Sequence, residues 1–198
     1  MKFKTMFYSA AGVYFSSKLI AYLTIPKEVK YSIEERCRDL GLKCERHFIT
    51  TEDDYILQAF RIYDDKGKLE DKTSVILQHG YQDSAINMLC HGSKSCTAML
   101  AKEGYDMWLN NCRGNSYSRY HKYLDPDNDP EYWNFTFIEM GLYDTKALIN
   151  YVKDKTSQEK IPYIGSSQGS TQMLYALSKN EDWFKDRVSI FIALCPVV

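Results

Sequence analysis

The sequence lacks an excess of either charge. Its 25 Lys and Arg stand against 26 Asp and Glu, a formal net charge of −1. No basic stripe runs along any segment, so the electrostatic footprint of nucleic-acid binding is missing and no nucleic-acid partner is expected. The chain also lacks internal repeats and low-complexity tracts. None of its six cysteines forms a C-x-x-C, which argues against a zinc ribbon or a thioredoxin-type motif. Neither a metal nor a cofactor is expected.

What is present is a chain of 198 residues, 44% hydrophobic, long enough to bury a sizeable core as one globular domain. Aromatic residues are many, with 16 Tyr, 9 Phe and 3 Trp. They suit either core packing or an apolar ligand. Cys37/Cys44 and Cys90/Cys96 are spaced for local bridges, and free buried thiols are the competing reading; Cys112 and Cys195 complete the set.

Residues 1–30 read as a signal or membrane-associating segment. Lys2 and Lys4 precede an uncharged run from Thr5 to Ser17, and a second apolar run, Leu19 to Ile25, follows Lys18. A small-x-small cleavage site is absent, and Lys18 interrupts a continuous span. A secretory signal, an interfacial amphipathic segment and an ordinary helix all stay open, with a secreted or lysosomal/endomembrane location favoured over membrane association. Asn134-Phe135-Thr136 has the form of a glycosylation acceptor, which would matter only in a secreted protein. A chance match inside a buried aromatic loop is the reading favoured here.

Periodicity and turn residues predict the remaining elements. A helix runs from Tyr31 to Leu40 and stops at Gly41. Strands follow at Cys44–Thr51 and Tyr55–Tyr63, turning at Asp53-Asp54. Ser74–Gln78 is a short apolar strand ending in His79-Gly80. A helix from Lys94 to Glu103 is closed by Gly104, and Tyr105–Leu109 is the next strand. Asn110 to Trp133 reads as a long polar loop. Phe137–Val152 is an amphipathic helix, Ile161–Ile164 a strand, Ser170–Ser178 helical and Val188–Leu194 a last strand. Strands alternating with helices after the first hairpin imply an α/β fold with a mostly parallel, doubly wound sheet. Ligands then bind beyond the carboxyl ends of the strands, where His79-Gly80-Tyr81 and Ser167 both fall.

Gly165-Ser166-Ser167-Gln168-Gly169 carries the chemistry. It reads G-x-S-x-G between a strand and a helix, the setting of a nucleophile elbow. A serine on such a turn holds its hydroxyl clear of the sheet, and glycines let strand and helix approach. Ser167 is the candidate nucleophile. The backbone N–H of Gln168, at the start of a helix, and that of Tyr81, after the Ser74–Gln78 strand, are the candidate oxyanion donors.

From about Tyr31 onward the chain resembles the acid lipase family, α/β-hydrolases that include gastric and lysosomal acid lipases and steryl ester hydrolases. The matching runs are Thr51-Glu52-Asp53-Asp54-Tyr55-Ile56-Leu57, Leu77-Gln78-His79-Gly80, and Gly104 through Asn115 with Ser118-Arg119-Tyr120-His121. Trp133-Asn134-Phe135, Glu139-Met140, Tyr143-Asp144, the elbow and Ala193 through Val197 complete them. The resemblance implies a serine carboxylic ester hydrolase of lipid catabolism acting on a neutral lipid ester at a lipid–water interface or membrane surface. It carries the nucleophile onto Ser167 and the donors onto Gln168 and Tyr81. Ser166 stands where the family commonly has His, and Tyr81 where it commonly has Leu.

A base is not evident. In α/β-hydrolases the triad follows the order Ser, acid, His, yet His47, His79, His91 and His121 all precede Ser167. His121 is the one upstream residue considered as a base. Glu181 and Asp182 follow the elbow too closely to be the acid and read as a solvated helix end. Arg113-Gly114-Asn115, Asp144 and Glu139 read as braces of the loop. Residues 31–198 are thus expected to be the N-terminal part of an α/β-hydrolase lipase domain, incomplete, with C-terminal strands, cap, acid and histidine missing. A catalytically inactive core with a binding role or none is the alternative.

Overall fold

The computed structural model describes residues 30–197. Residues 33–197 form one compact unit. The expectation for the N-terminal segment lies outside the described residues but for Lys30.

The strands are β1 (Lys43–Thr50), β2 (Tyr55–Tyr63), β3 (Ser74–Gln78), β4 (Asp106–Asn110), β5 (Tyr120–His121), β6 (Ile161–Ser166) and β7 (Val188–Leu194). They form one seven-stranded sheet in the order β1-β2-β4-β3-β6-β7, with β5 paired to β2. β2 is antiparallel to β1 and β4, whereas β4-β3-β6-β7 are parallel to one another. The helices are α1 (Ile33–Asp39), α2 (Cys96–Lys102), α3 (Phe137–Glu139), α4 (Thr145–Thr156) and α5 (Gln168–Lys185).

The two-residue period of the strands divides the core in two. Val75, Leu77, Met107 and Leu109 face Ile33, Ala98 and Ala101 on one side of the sheet. Ile76 and Trp108 face Leu148, Val152, Met173 and Phe184 on the other. Every residue of β3 and β4 is buried, as central parallel strands covered by helices require. Each fully buried Leu, Ile or Phe contributes roughly 1.5–3 kcal/mol. Local signals set the ends. Ser95 Oγ accepts from Ala98 N (3.3 Å) at the start of α2, and Gly104 follows it at φ +98°.

Three expected segments differ, the first being the helix expected over Ser170–Ser178, which runs over Gln168–Lys185. The loop from Asn110 to Trp133 contains β5 and a 3₁₀ turn, Pro130–Trp133. The single helix expected over Phe137–Val152 reaches Thr156 and is interrupted by a π-helical turn, Met140–Asp144. That wide turn presses Gly141 on α5, where a Cβ would stand 2.6 Å from the Gln172 carbonyl oxygen. All six cysteines are free, and only Cys37 and Cys112 are buried. Among the described residues no helix is long and apolar enough to cross a membrane.

Candidate active site

β6 ends at Ser166 and α5 begins at Gln168, so Ser167 makes the whole turn between them. Its backbone sits at φ 51°, ψ −119°, where a side chain is strained by about 1–3 kcal/mol. Backbone bonds hold it there. Ser167 N donates to Leu194 O (2.8 Å), Ser170 N donates to Ser167 O (2.8 Å), and Ser170 Oγ donates to Gly165 O (2.6 Å).

The glycines make this approach possible. A Cβ on Gly165 would stand 2.7 Å from Gly169 O, and one on Gly169 would stand 2.7 Å from Gln78 O and 2.8 Å from His79 O. A Cβ on Gly80 would stand 3.0 Å from Ser167 Cβ. The loop after β3 is therefore packed directly on the serine turn. Gln168 is the first residue of α5, so its N–H has no intrahelical partner. Tyr81 and Gln168 line one cavity of about 460 Å³, together with Gly80, Trp133, Phe135 and Met140. Tyr81 and Trp133 leave that wall largely exposed, at 70% and 44%. A cavity of about 470 Å³ between β1 and α4, lined by Phe48, Lys146, Tyr151 and Asp154, touches none of these groups.

His79 shapes the loop after β3. Its Nε2 accepts from Cys112 N (3.1 Å), and its Nδ1 lies 2.8 Å from Gly80 O. These partners require a neutral ring with its proton on Nδ1. Burial lowers the His79 pKa and keeps it neutral. With both nitrogens occupied, it is not a base for Ser167.

The loop after β4 is held by charge. The Arg113 guanidinium is buried between two carboxylates. Its Nε donates to Asp144 Oδ1 (2.8 Å) and its Nη2 to Asp53 Oδ1 (2.8 Å), while Arg113 N donates to Asp144 Oδ2 (3.1 Å). Its Cζ lies 4.0 Å from the Tyr55 ring centroid. Asn115 Nδ2 donates to Asp83 O (2.7 Å), and Asn111 Oδ1 accepts from Ala85 N (2.9 Å), which ties this loop to the one after β3. Cys112 lies beneath, its Sγ accepting from Gln78 Nε2 (3.0 Å) and Gln172 Nε2 (3.3 Å). Burial pushes its thiol up to about 12, so it stays protonated.

Arg113, Asn115 and Asp144 are braces, as expected. Glu139 instead caps its own helix, accepting from Thr136 N (2.7 Å). His121 is equally occupied. Its Nε2 lies 3.1 Å from Asp53 O, and its Nδ1 accepts from Tyr123 N and Leu124 N, each at 3.1 Å. His47 Nδ1 lies 3.1 Å from Tyr151 Oη, and His91 is exposed on the loop before α2. Among the described residues no histidine is hydrogen-bonded to Ser167, and no group of acidic, His or Cys side chains is placed to hold a metal. Sequence reasoning did not find the Asp53–Arg113 pair or the Cys112 N–H to His79 bond.

Comparison with known proteins agrees with this geometry. A family model described as "alpha/beta hydrolase fold" matches residues 73–197, and one described as "Partial alpha/beta-hydrolase lipase region" matches residues 33–92. Human lipase member K is 41% identical over 175 residues, covering 86% of this chain and 43% of that protein. The gastric triacylglycerol lipase of Rattus norvegicus is 41% identical over 174 residues, covering 86% and 44%. The chain thus spans less than half the length of these curated relatives. Among solved structures, the Pyrococcus furiosus esterase Pf2001 superposes with a TM-score of 0.57 at 24% identity, covering 80% of this chain and 51% of that one. That likeness concerns the fold. The chain belongs to the alpha/beta-hydrolase fold family.

Proposed function

We propose that Ser167 is the nucleophile of a carboxylic ester hydrolase acting on neutral lipid esters. The observation that carries the reading is the Ser167 turn itself, strained at φ 51° and touched by Gly80. In this reading Ser167 Oγ attacks the ester carbonyl carbon. The carbonyl oxygen gains negative charge and is met by the N–H groups of Gln168 and Tyr81. The alcohol leaves, and water releases the acyl group from the serine. No metal or cofactor enters these steps.

The substrate class follows from the cavity wall and the relatives. Trp133, Phe135, Met140 and Tyr81 offer an apolar wall suited to an acyl chain. One relative is named a triacylglycerol lipase. The exposed rings of Tyr81 and Trp133 suit contact with a lipid–water interface. None of the four histidines bonds to Ser167, so the reading assigns the base and its acid to residues outside these 198.

Two arms test it. The 198-residue chain alone is expected to show negligible turnover of a short-chain ester, since an unassisted serine hydroxyl stays protonated. Fused to the unmatched remainder of the rat gastric lipase, it is expected to hydrolyse that ester and to take a fluorophosphonate label at Ser167. Labelling at another serine, or undiminished activity in Ser167→Ala, refutes the nucleophile assignment. Turnover by the 198 residues alone refutes the external base. A fusion that folds but neither hydrolyses nor labels favours the inactive core.

A further inference from the structure

Asn134-Phe135-Thr136 is the only N-x-S/T run in the sequence. The reading of it as a match buried in an aromatic loop is half right. The loop is aromatic, but Asn134 is exposed. It follows the 3₁₀ turn Pro130–Trp133 with φ −78° and ψ 62°, and Phe135 N donates to Trp133 O at 2.9 Å. These values define an inverse γ-turn with Asn134 at its tip. The neighbours on either side line the cavity beside Gly80. Phe135 packs on Gly114, where a Cβ would stand 2.7 Å from Phe135 Cζ. The turn thus holds the aromatic rings against the body and presents the amide between them to solvent.

We propose that Asn134 is an N-glycosylation site. The donor is a polyprenyl-diphosphate-linked oligosaccharide. Asn134 Nδ2 forms a bond to C1 of the first sugar, the C1–O bond to the diphosphate breaks, the amide loses one proton and the polyprenyl diphosphate leaves. The acceptor run needs the Thr136 hydroxyl during transfer. In the folded chain that hydroxyl accepts from Ile138 N (3.1 Å) and is bonded to Glu139 Oε2 (2.8 Å), so transfer precedes closure of this cap. The site therefore acts on the nascent chain as it enters a lumen, the route that the basic start and uncharged run of the N-terminal segment suit. The inference rests on exposure and routing, not on the hydrolase reading, so the two fail separately.

The test is translation of the full 198-residue chain with eukaryotic microsomal membranes. A protease-protected product carrying one glycan is expected. Peptide N-glycosidase should remove the glycan and leave Asp at position 134, read by peptide mass. Asn134→Gln and Thr136→Ala should abolish the shift, and Thr136→Ser should retain it. A protected chain without glycan overturns the proposal. So does a glycan that persists in Asn134→Gln, or a chain left outside the vesicles.

Discussion

The turn that carries Ser167 and the loop that carries Arg113 border the same cavity and are held by different physics. The serine turn is made of backbone. Its glycines admit carbonyl groups to within 3 Å of where a Cβ would stand, and its bonds run between main-chain atoms apart from Ser170 Oγ. The Arg113 loop is made of side chains. One guanidinium binds Asp53, 60 residues earlier, and Asp144, 31 residues later. The difference is between a device that sterics enforce and one that buried charge enforces. They meet at His79, whose carbonyl abuts Gly169 and whose ring is held by Cys112 N.

The largest effect is expected where buried charge is unbalanced. Arg113→Met leaves Asp144 fully buried without its counter-ion, and breaking a buried pair this way costs about 3–5 kcal/mol. Arg113→Lys keeps the charge but cannot make the same forked contacts to both carboxylates, so it should fall between. Urea unfolding followed by intrinsic tryptophan fluorescence measures both. A loss below about 1 kcal/mol in Arg113→Met would place it among ordinary surface changes and remove the distinction.

Next is Gly169→Ala. Its Cβ would enter the space 2.7 Å from Gln78 O and 2.8 Å from His79 O, neither of which is a flexible tip. Overpacking of this kind costs about 1–3 kcal/mol. Because both devices bear on His79, the double variant with Arg113→Met should depart from additivity, by about 0.5 kcal/mol or more. Strict additivity would show the turn and the loop to be independent.

The same contrast explains what could be read from the sequence. The serine turn is contiguous, so Gly165, Ser167 and Gly169 announce it by spacing. Strands and helices with a clear period are legible for the same reason, and β3, β4 and β7 lie within a residue of their expected bounds. The Arg113 network is not contiguous. Nothing local tells Arg113 that its partners are Asp53 and Asp144, although the motif marked the loop as braced. β5 is two residues long and owes its existence to β2, which pairs Tyr55 with His121. The π-helical turn likewise reflects packing of Gly141 on α5 rather than a signal within Met140–Asp144. Histidine roles follow this rule too. Only the fold shows that His121 spends both nitrogens on backbone.

The smallest effect separates the two regions by pH. Arg113 faces two carboxylates, the buried Asp144 and the half-buried Asp53, which together carry one negative charge more than it does. Burial pushes the Asp144 carboxyl from 3.8 up to about 6, against the pull of Arg113. Burial acts on Asp53 as well, but the bonds from Arg113 and Thr51 outweigh it and hold that group below its ordinary value. A carboxyl with a raised folded pKa binds its proton more tightly folded than unfolded. Its contribution to stability therefore grows as pH falls through about 6 toward 3.8. Asp53 acts in the opposite sense: its contribution is full above 3.8 and is lost as pH falls from there through its lowered folded value. His79 and His47, both depressed by burial, lose stability as pH falls below 6.5 and mask the Asp144 gain in the whole chain. The difference between the wild type and Asp144→Asn isolates it. That difference should shift in favour of the wild type on going from about pH 7 to about pH 4.5. The corresponding difference for Gly169→Ala should stay flat, because the substitution removes no titrating group. A flat line for Asp144→Asn as well would mean that Asp144 stays ionised throughout, with the surplus charge balanced by a group other than a proton on this carboxyl.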